Sequence, residues 1–345
     1  MSGASSSKSG LFAAPGALVR LGSALMGSGE GDKAVRLLES AARERPGDPE
    51  LESAERVILS SGIAQWHMPM LADAGRNAAF ERAIRRAVTP ATTVLDIGAG
   101  SGLMSMLAAR AGAAAVVACE AQPALAETAR AIVAANGWSE KVRVIGKAST
   151  QLDRDADVLG GADVIIAEVF SDDVISEGAL PTLGHALAAL ARPNVQVIPA
   201  EASIRVALAH WPNEPQSLRD VSGFDLSLFQ RHSPAWRRVK STDSRLQLRS
   251  APESLFTFVF APGQAFGADR SRVALRCRGP ANGFVQWIRL QMDAQEAYEN
   301  APGSACDSHW SLLFHGLPHG RCIADGEEVV IEACHDGERL QVWLA

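Results

Sequence analysis

Tyrosine is almost missing from this chain: Tyr298 is the single one among 345 residues. Any chemistry that needs a tyrosine pair is thereby excluded. Cysteine is scarce, odd in number and never spaced as Cys-x-x-Cys (Cys119, Cys277, Cys306, Cys322, Cys334). That favours free thiols in a reducing compartment over a disulfide framework and offers no zinc site. No apolar run reaches membrane-spanning length; the alanine-rich stretch near residue 111 is short and is broken by Arg110. Residues Met1 to Gly10 lack the apolar centre of a signal peptide. Positive charge is also short, the net being −6, which argues against a dedicated nucleic-acid binder with its basic domain. A local basic patch stays possible, and a mildly acidic surface suits a cationic partner. The expectation is a cytoplasmic protein with no membrane association and no direct nucleic-acid contact.

What is present is enough for a packed core: 47% of residues are hydrophobic against 21% charged. The length suits two domains with an appended piece. Residues 1–17 read as a flexible tail. Residues 18–62 are helical in pattern: Leu21 and Leu25, then Ala34, Leu37, Leu38 and Ala41, with Gly27, Gly29 and Gly31 as a turn and Pro46 after. This spelling resembles one tetratricopeptide repeat. A single helical hairpin cannot bury its own face, so it must pack on the next domain or on a partner. An N-terminal extension without a binding role fits equally well.

Residues 63–199 alternate short apolar runs with helices, the mark of a parallel sheet covered on both faces. Candidate strands are Thr93–Ile97, Ala115–Glu120, Val142–Lys147, Asp163–Val169 and Val195–Pro199, with helical runs near 103–111, 122–136 and 178–191. Residues 200–345 instead alternate apolar and polar positions between Gly, Pro and Asp turns, as in an antiparallel barrel or sandwich. The segment 210–238, with Pro212, Pro215 and Pro234, reads as an excursion from that domain.

Chemistry begins at Val94-Leu-Asp-Ile-Gly-Ala-Gly-Ser-Gly-Leu103. A β-branched run ends in glycines Gly98, Gly100 and Gly102, two places after Asp96. Such a strand-to-helix turn lets backbone approach a bound nucleotide cofactor. Glu120, ending the next strand, falls where a ribose hydroxyl pair would be held; an acid at a strand end can also be only a solvated tip. Asp96 either bonds the loop backbone or orients the cofactor through that loop. Ala148 and Ser149 follow the third strand, where an adenine amine could be contacted; a helix N-cap accounts for Ser149 as well. The glycine spacing differs from the Gly-x-Gly-x-x-Gly of dinucleotide folds. It resembles the form used by S-adenosylmethionine (AdoMet) methyltransferases.

After the fourth strand comes Ala167-Glu168-Val-Phe-Ser-Asp-Asp-Val-Ile-Ser-Glu177-Gly-Ala-Leu-Pro181. Ligands bind at the carboxyl ends of strands in open α/β sheets. Two carboxylates facing one cleft repel each other unless a cation or proton lies between them. A planar guanidinium fits, because carboxylates accept its forked donors bidentately. An acidic surface loop is the alternative.

Taken together, these segments resemble the protein arginine methyltransferase family. The matching pieces are the glycine loop, Glu120, the double-glutamate loop, Trp66-His67-Met-Pro-Met70-Leu-Ala-Asp73-Ala-Gly-Arg76-Asn77, and Asp307-Ser308-His309-Trp310, close to the family's Thr-His-Trp loop. Ser-Glu-Gly-Ala-Leu-Pro and Val221-Ser-Gly-Phe-Asp-Leu-Ser-Leu-Phe229 are similar to the monomethylating and tetratricopeptide-bearing members. The resemblance spans about residues 62–345. It implies a Rossmann-like AdoMet-binding α/β domain followed by a β-barrel substrate domain, with His67, Met70 and Arg76 in a helical lid over the cofactor. Arg76 would pair with the methionine carboxylate, though without the family it reads as a helix-surface residue. Glu168 and Glu177 would clamp the substrate guanidinium, and Asp73 and His309 would pair across the chain. Residues 210–238 correspond to the family's dimerisation arm, so a homodimer is implied. Two departures stand out: the tyrosine pair of asymmetric dimethylating members is missing, and Ser308 replaces a threonine. The substrate is then an arginine-containing protein or peptide. The alternatives are a small guanidine or amine metabolite, or a non-catalytic interaction protein on an AdoMet fold.

Overall fold

The computed structural model describes residues 15–64, 66–212, 218–305, 307–317 and 321–345. Residues 1–14 of the expected tail, Cys306, and Pro215 of the excursion lie outside the described residues. The chain divides into two compact units. The first gathers the described residues up to Leu71, Phe80–Glu168 and His185–Ile198; the second gathers Ala72–Ala79, Val169–Gly184 and Pro199–Ala345.

The first unit opens with α1 (Pro15–Gly27), α2 (Gly31–Glu44) and α3 (Pro49–Ser60). Residues 15–17, expected in the tail, are therefore the first turn of α1. The expected hairpin is α1–α2, turned by Gly29 at φ 79°, and α3 is an addition to it. Asp48 starts α3 by accepting the Glu50 N–H at 2.9 Å, with Pro49 at the first helical position. Leu18, Ala34, Leu38, Ala41, Leu51, Ala54 and Ile58 form a buried core among the three helices. Burying each leucine or isoleucine contributes roughly 1.5–3 kcal/mol. The bundle also has a neighbour. A Cβ on Gly31 would stand 2.8 Å from the Ala124 Cβ on α7 (Pro123–Ala135), and Arg36 lies 3.6 Å from Glu127 on the same helix.

Next come a short helix, α4 (His67–Ala72), and a longer one, α5 (Ala74–Ala87), and then the parallel sheet, ordered β3-β2-β1-β4-β5. Its strands are β1 (Thr93–Ile97), β2 (Ala115–Cys119), β3 (Val142–Ile145), β4 (Ala162–Ala167) and β5 (Ala191–Ile198). All of β1 is buried, as strands covered on both faces require. The helices α6 (Leu103–Arg110) and α7 follow β1 and β2; α8 (Ala179–His185) runs into a π-helical turn, Ala186–Leu190, ahead of β5. That strand begins four residues earlier than its apolar run, and its pairing with β4 shifts register between Ala162 and Val164.

The second unit is antiparallel. Its long strand β6 (Glu201–His210) pairs along nine positions with β11 (Gly283–Gln291), and on its other side with β8 (Gln247–Leu248) and β9 (Glu253–Val259). Outside β11 lie β12 (Ala297–Glu299) and β13 (Leu312–Gly316), the latter pairing with β7 (Arg237–Val239). A separate sheet joins β10 (Asp269–Arg276), β14 (Glu328–His335) and β15 (Leu340–Leu344). Trp211, Trp287 and Phe314 fill the core with Ala207, Val285 and Leu312. At the edge of its sheet, β10 runs from Asp269 through exposed Arg270 and half-buried Ser271, polar positions that the apolar alternation does not mark. The short strands β7, β8 and β12 carry too few apolar residues to announce themselves.

Candidate active site

The sequence-predicted residues fall into two groups, one in each unit. In the first unit, register sets three strand ends level: Ile97 of β1 pairs with Cys119 of β2 and with Ala167 of β4. Gly98, Glu120 and Glu168 are the next residue of each strand, so the glycine loop has a carboxylate-bearing residue on either side. The sheet order places β1 at its centre, where strand succession reverses and ligands bind.

The loop's geometry explains its glycines. Gly98, Gly100 and Gly102 have φ of 69°, 53° and 80°, a left-handed region that side chains disfavour. The N–H groups of Gly98 and Ala99 both donate to the Cys119 carbonyl at 3.0 Å. Glu120 is buried, and its two oxygens accept the Gly100 N–H at 3.0 Å and the Gln122 N–H at 2.8 Å. It is thus a built-in part of the loop rather than a solvated tip. Asp96, also buried, accepts the Ser105 hydroxyl at 2.5 Å and fastens β1 to α6. Sequence reading missed Ser105, whose only signal is a hydroxyl inside an apolar helix. Burial beside Asp96 and Glu120 pushes the Cys119 thiol up to about 12, so it is inert as a nucleophile. Ser149 is buried as the first residue of a 3-10 turn, Ser149–Gln151. The N-cap position belongs to Ala148, which corrects the capping alternative for Ser149; the Ala148 N–H donates to Gln151 Oε1 at 3.2 Å. His67 stacks on Trp66, with ring centroids 4.0 Å apart, and Met70 is buried. Glu168 is half-buried.

In the second unit, Asp73 precedes α5 and caps it, its Oδ1 accepting the Arg76 N–H at 2.9 Å. Its Oδ2 accepts from the Tyr298 hydroxyl at 2.8 Å, the His309 N–H at 3.2 Å and His309 Nδ1 at 3.1 Å. The expected Asp73–His309 pair is therefore present. Burial works against the Asp73 charge, but the donors from His309, Arg76 and Tyr298 outweigh it and hold the carboxyl down at about 2. Burial, with Asp73 adding to it, raises the Tyr298 phenol well above its usual range. Arg76 is 3% exposed, which corrects the helix-surface reading, and its Nη1 donates to Asn77 Oδ1 at 2.7 Å.

The loop after Glu168 is anchored on the same turn as His309. The Trp310 indole N–H donates to the Phe170 carbonyl at 2.7 Å, and the Ser311 N–H to Asp172 Oδ1 at 2.8 Å. Arg238 on β7 donates to the other Asp172 oxygen at 2.8 Å. Within the loop, Asp173 Oδ1 accepts the Ser171 hydroxyl at 2.5 Å and the Ser176 N–H at 3.0 Å. Val174 between them is buried at φ 75°. Glu177 is exposed and is followed by Gly178 at φ 76°. Sequence reading missed Tyr298 as a partner of Asp73 and Phe170 as the acceptor for Trp310.

The chain is similar to known methyltransferases. Residues 79–180 match the family model for ribosomal protein L11 methyltransferase (PrmA). The chain is 36% identical over 265 residues to the arginine N(omega)-methyltransferase of Streptomyces achromogenes subsp. streptozoticus, covering 73% of this chain and 71% of that protein. It is 29% identical over 342 residues to protein arginine N-methyltransferase 7 of Aedes aegypti, covering 84% of this chain and 49% of that protein. The chain thus spans about half the length of that second relative. Among solved structures, the PRMT1 enzyme–prozyme heterotetrameric complex with AdoHcy from Trypanosoma brucei shares the fold. Its TM-score is 0.70 at 23% identity, over 82% of this chain and 93% of that one. The chain belongs to the protein arginine N-methyltransferase family.

Proposed function

We propose that this protein transfers a methyl group from AdoMet to a terminal nitrogen of an arginine guanidinium in a protein or peptide, with Glu168 and Glu177 as the clamp on the guanidinium. The observation that carries this reading is the double-glutamate loop itself. It leaves the carboxyl end of β4 beside the glycine loop, and it is fastened through Phe170 and Asp172 to the turn that bears His309.

The first unit fits the cofactor. A Cβ placed on Gly100 would meet only the Gly98 carbonyl, at 3.9 Å, so the loop leaves room for a ligand against its backbone. Glu120 would hold the ribose hydroxyls and Ser149 the adenine, with His67, Met70 and Arg76 as the lid and Arg76 on the methionine carboxylate. AdoMet, when bound, supplies a methyl already activated by the sulfonium. The protein's task is alignment and charge placement. Glu168 and Glu177 draw the guanidinium's positive charge toward the nitrogens they hold, so the remaining terminal nitrogen gains lone-pair character. Arginine's pKa above 12 forbids prior deprotonation, so the proton leaves with or after the methyl transfer. The Asp73–His309 pair accepts it.

Free arginine is the second reading, favoured by the name of the Streptomyces relative, which specifies arginine and not a protein. Incubation with labelled AdoMet and either an Arg-Gly-rich peptide or free arginine, followed by mass spectrometry, separates the two. Label in the peptide alone supports the first reading; label in neither defeats both. The excursion presents Phe224, Leu226, Leu228 and Phe229, all exposed. Such an apolar cluster supports its role as a dimerisation arm, and sedimentation of an active monomer would refute the homodimer. None of the described helices is long and apolar enough to cross a membrane, which is consistent with a cytoplasmic enzyme. The helices α1–α3 are read as a repeat-like scaffold attached to the catalytic core.

A further inference from the structure

We propose that Tyr298, acting with Ser308, is a positioning residue for methyl transfer: it clamps the Asp73 carboxylate so that the His309 imidazole keeps one tautomer and one orientation. This deepens the reading of the site given above and rests on it.

The argument is a count of protons and lone pairs. Tyr298 Oη lies 2.8 Å from Asp73 Oδ2 and 2.7 Å from Ser308 Oγ. A phenol has one proton, and an ionised carboxylate only accepts, so the phenol proton points at Asp73. Ser308 must then donate its own proton to the phenol oxygen. Its hydroxyl oxygen also accepts the Trp310 N–H at 3.2 Å. The result is a chain with a fixed direction, from Trp310 N–H through Ser308 and Tyr298 to Asp73. Such chains strengthen along their length.

On Asp73, the Arg76 N–H holds one oxygen and Tyr298 the other, which prevents the carboxylate from rotating. His309 Nδ1 sits 3.1 Å from the same oxygen as Tyr298. Because that oxygen cannot donate, Nδ1 carries the hydrogen and Nε2 is left as the basic nitrogen. The other acids flanking the turn are committed elsewhere: Asp307 to Lys240 at 2.6 Å and Asp172 to Arg238 at 2.8 Å. Three consecutive side chains thus tie three segments together. Ser308 holds β12, His309 holds the start of α5, and Trp310 holds the glutamate loop.

The test uses the full chain with the variants Tyr298→Phe, Ser308→Ala and Ser308→Thr. Tyr298→Phe should lower kcat by about ten- to a hundredfold while KM for AdoMet and for the arginine substrate stays within about twofold, as expected for lost alignment and proton acceptance. Ser308→Ala should give a smaller fall in the same direction, and Ser308→Thr, which restores the hydroxyl, should return kcat to the unsubstituted value. A separate readout does not depend on turnover. In protein labelled with 15N-histidine at pH 8.5, His309 (assigned by its loss in His309→Gln) should show a single Nδ1–H tautomer, and a mixture in Tyr298→Phe. Unchanged kcat in Tyr298→Phe, or an unchanged tautomer, would overturn the proposal. If the unsubstituted protein methylates no arginine at all, the functional reading falls, while the tautomer measurement still decides the role of Tyr298.

Discussion

The indole of Trp310 donates its hydrogen to the carbonyl of Phe170 at 2.7 Å, joining residues 140 positions apart. Both groups are buried, so the bond anchors the loop that runs on to Glu177. Trp310→Phe keeps most of the ring but orphans a buried carbonyl. It should destabilise the protein by about 1–3 kcal/mol in denaturant titration. Unchanged stability would show that the loop has other sufficient anchors.

Charge, not shape, should matter at Glu177. Because this side chain is exposed, any bond it makes is worth little, and Glu177→Gln should change stability by less than about 1 kcal/mol. The clamp predicts a fall in kcat/KM for the arginine substrate of about a hundredfold, since an ion pair on the guanidinium loses one partner. Undiminished turnover in Glu177→Gln defeats the clamp.

Gly100 has a backbone that only glycine adopts without strain. Gly100→Ala should cost about 1–2 kcal/mol at that residue. The larger effect should be on AdoMet affinity, measured by calorimetric titration, because the loop must shift to relieve the strain. Equal affinity in the variant would mean that the cofactor does not rest on this part of the loop.

A pH signature comes from a different residue. Burial drives His315 down to about 4; it stacks on Phe284 at 4.4 Å and lies 3.1 Å from Gln286 Oε1. The unfolded chain takes up that proton first, near its ordinary value of 6.5. Stability is therefore full above about pH 6.5 and declines by on the order of 3 kcal/mol as pH falls toward 4. His315→Gln should flatten that decline in melting curves across this window. Asp73 behaves differently, because its folded value lies at about 2. Its contribution is present above the ordinary carboxylate range and is lost only as pH falls through that range toward 2.

The helices α1–α3 should prove integral to the first unit. Gly31→Leu would force a side chain into Ala124, where even a Cβ has only 2.8 Å. The variant should lose about 1–3 kcal/mol in thermal or denaturant unfolding. A neutral result would mean that the bundle and α7 separate without cost.

The legibility of this protein in its sequence follows the strength of local patterns. Strand β1 was readable to the residue, because five buried positions run into a glycine turn that few other structures tolerate. The second unit was readable as alternating, antiparallel structure but not strand by strand: the short β7, β8 and β12 gave no signal, and β10 extends through exposed Arg270 and Arg272 at a sheet edge. The strand β12 was invisible, being three residues long, and it carries the tyrosine on which Asp73 depends. Asp73 and His309 came forward through family resemblance alone, since no local pattern links residues 236 positions apart. Arg76 misled for a related reason: an arginine on a helix rich in charged residues reads as exposed, yet its side chain is buried.

Val174 sits between the two glutamates of the loop with a backbone that β-branched residues almost never adopt. Holding it there costs about 1–3 kcal/mol, set against the bonds that Ser171, Asp173 and Ser176 make around it. A softer residue would let this stretch wander among many shapes, with the acid at 177 arriving at its post only some of the time. The strained turn makes this stretch rigid at some cost in stability, and the clamp proposed above would meet its substrate already shaped.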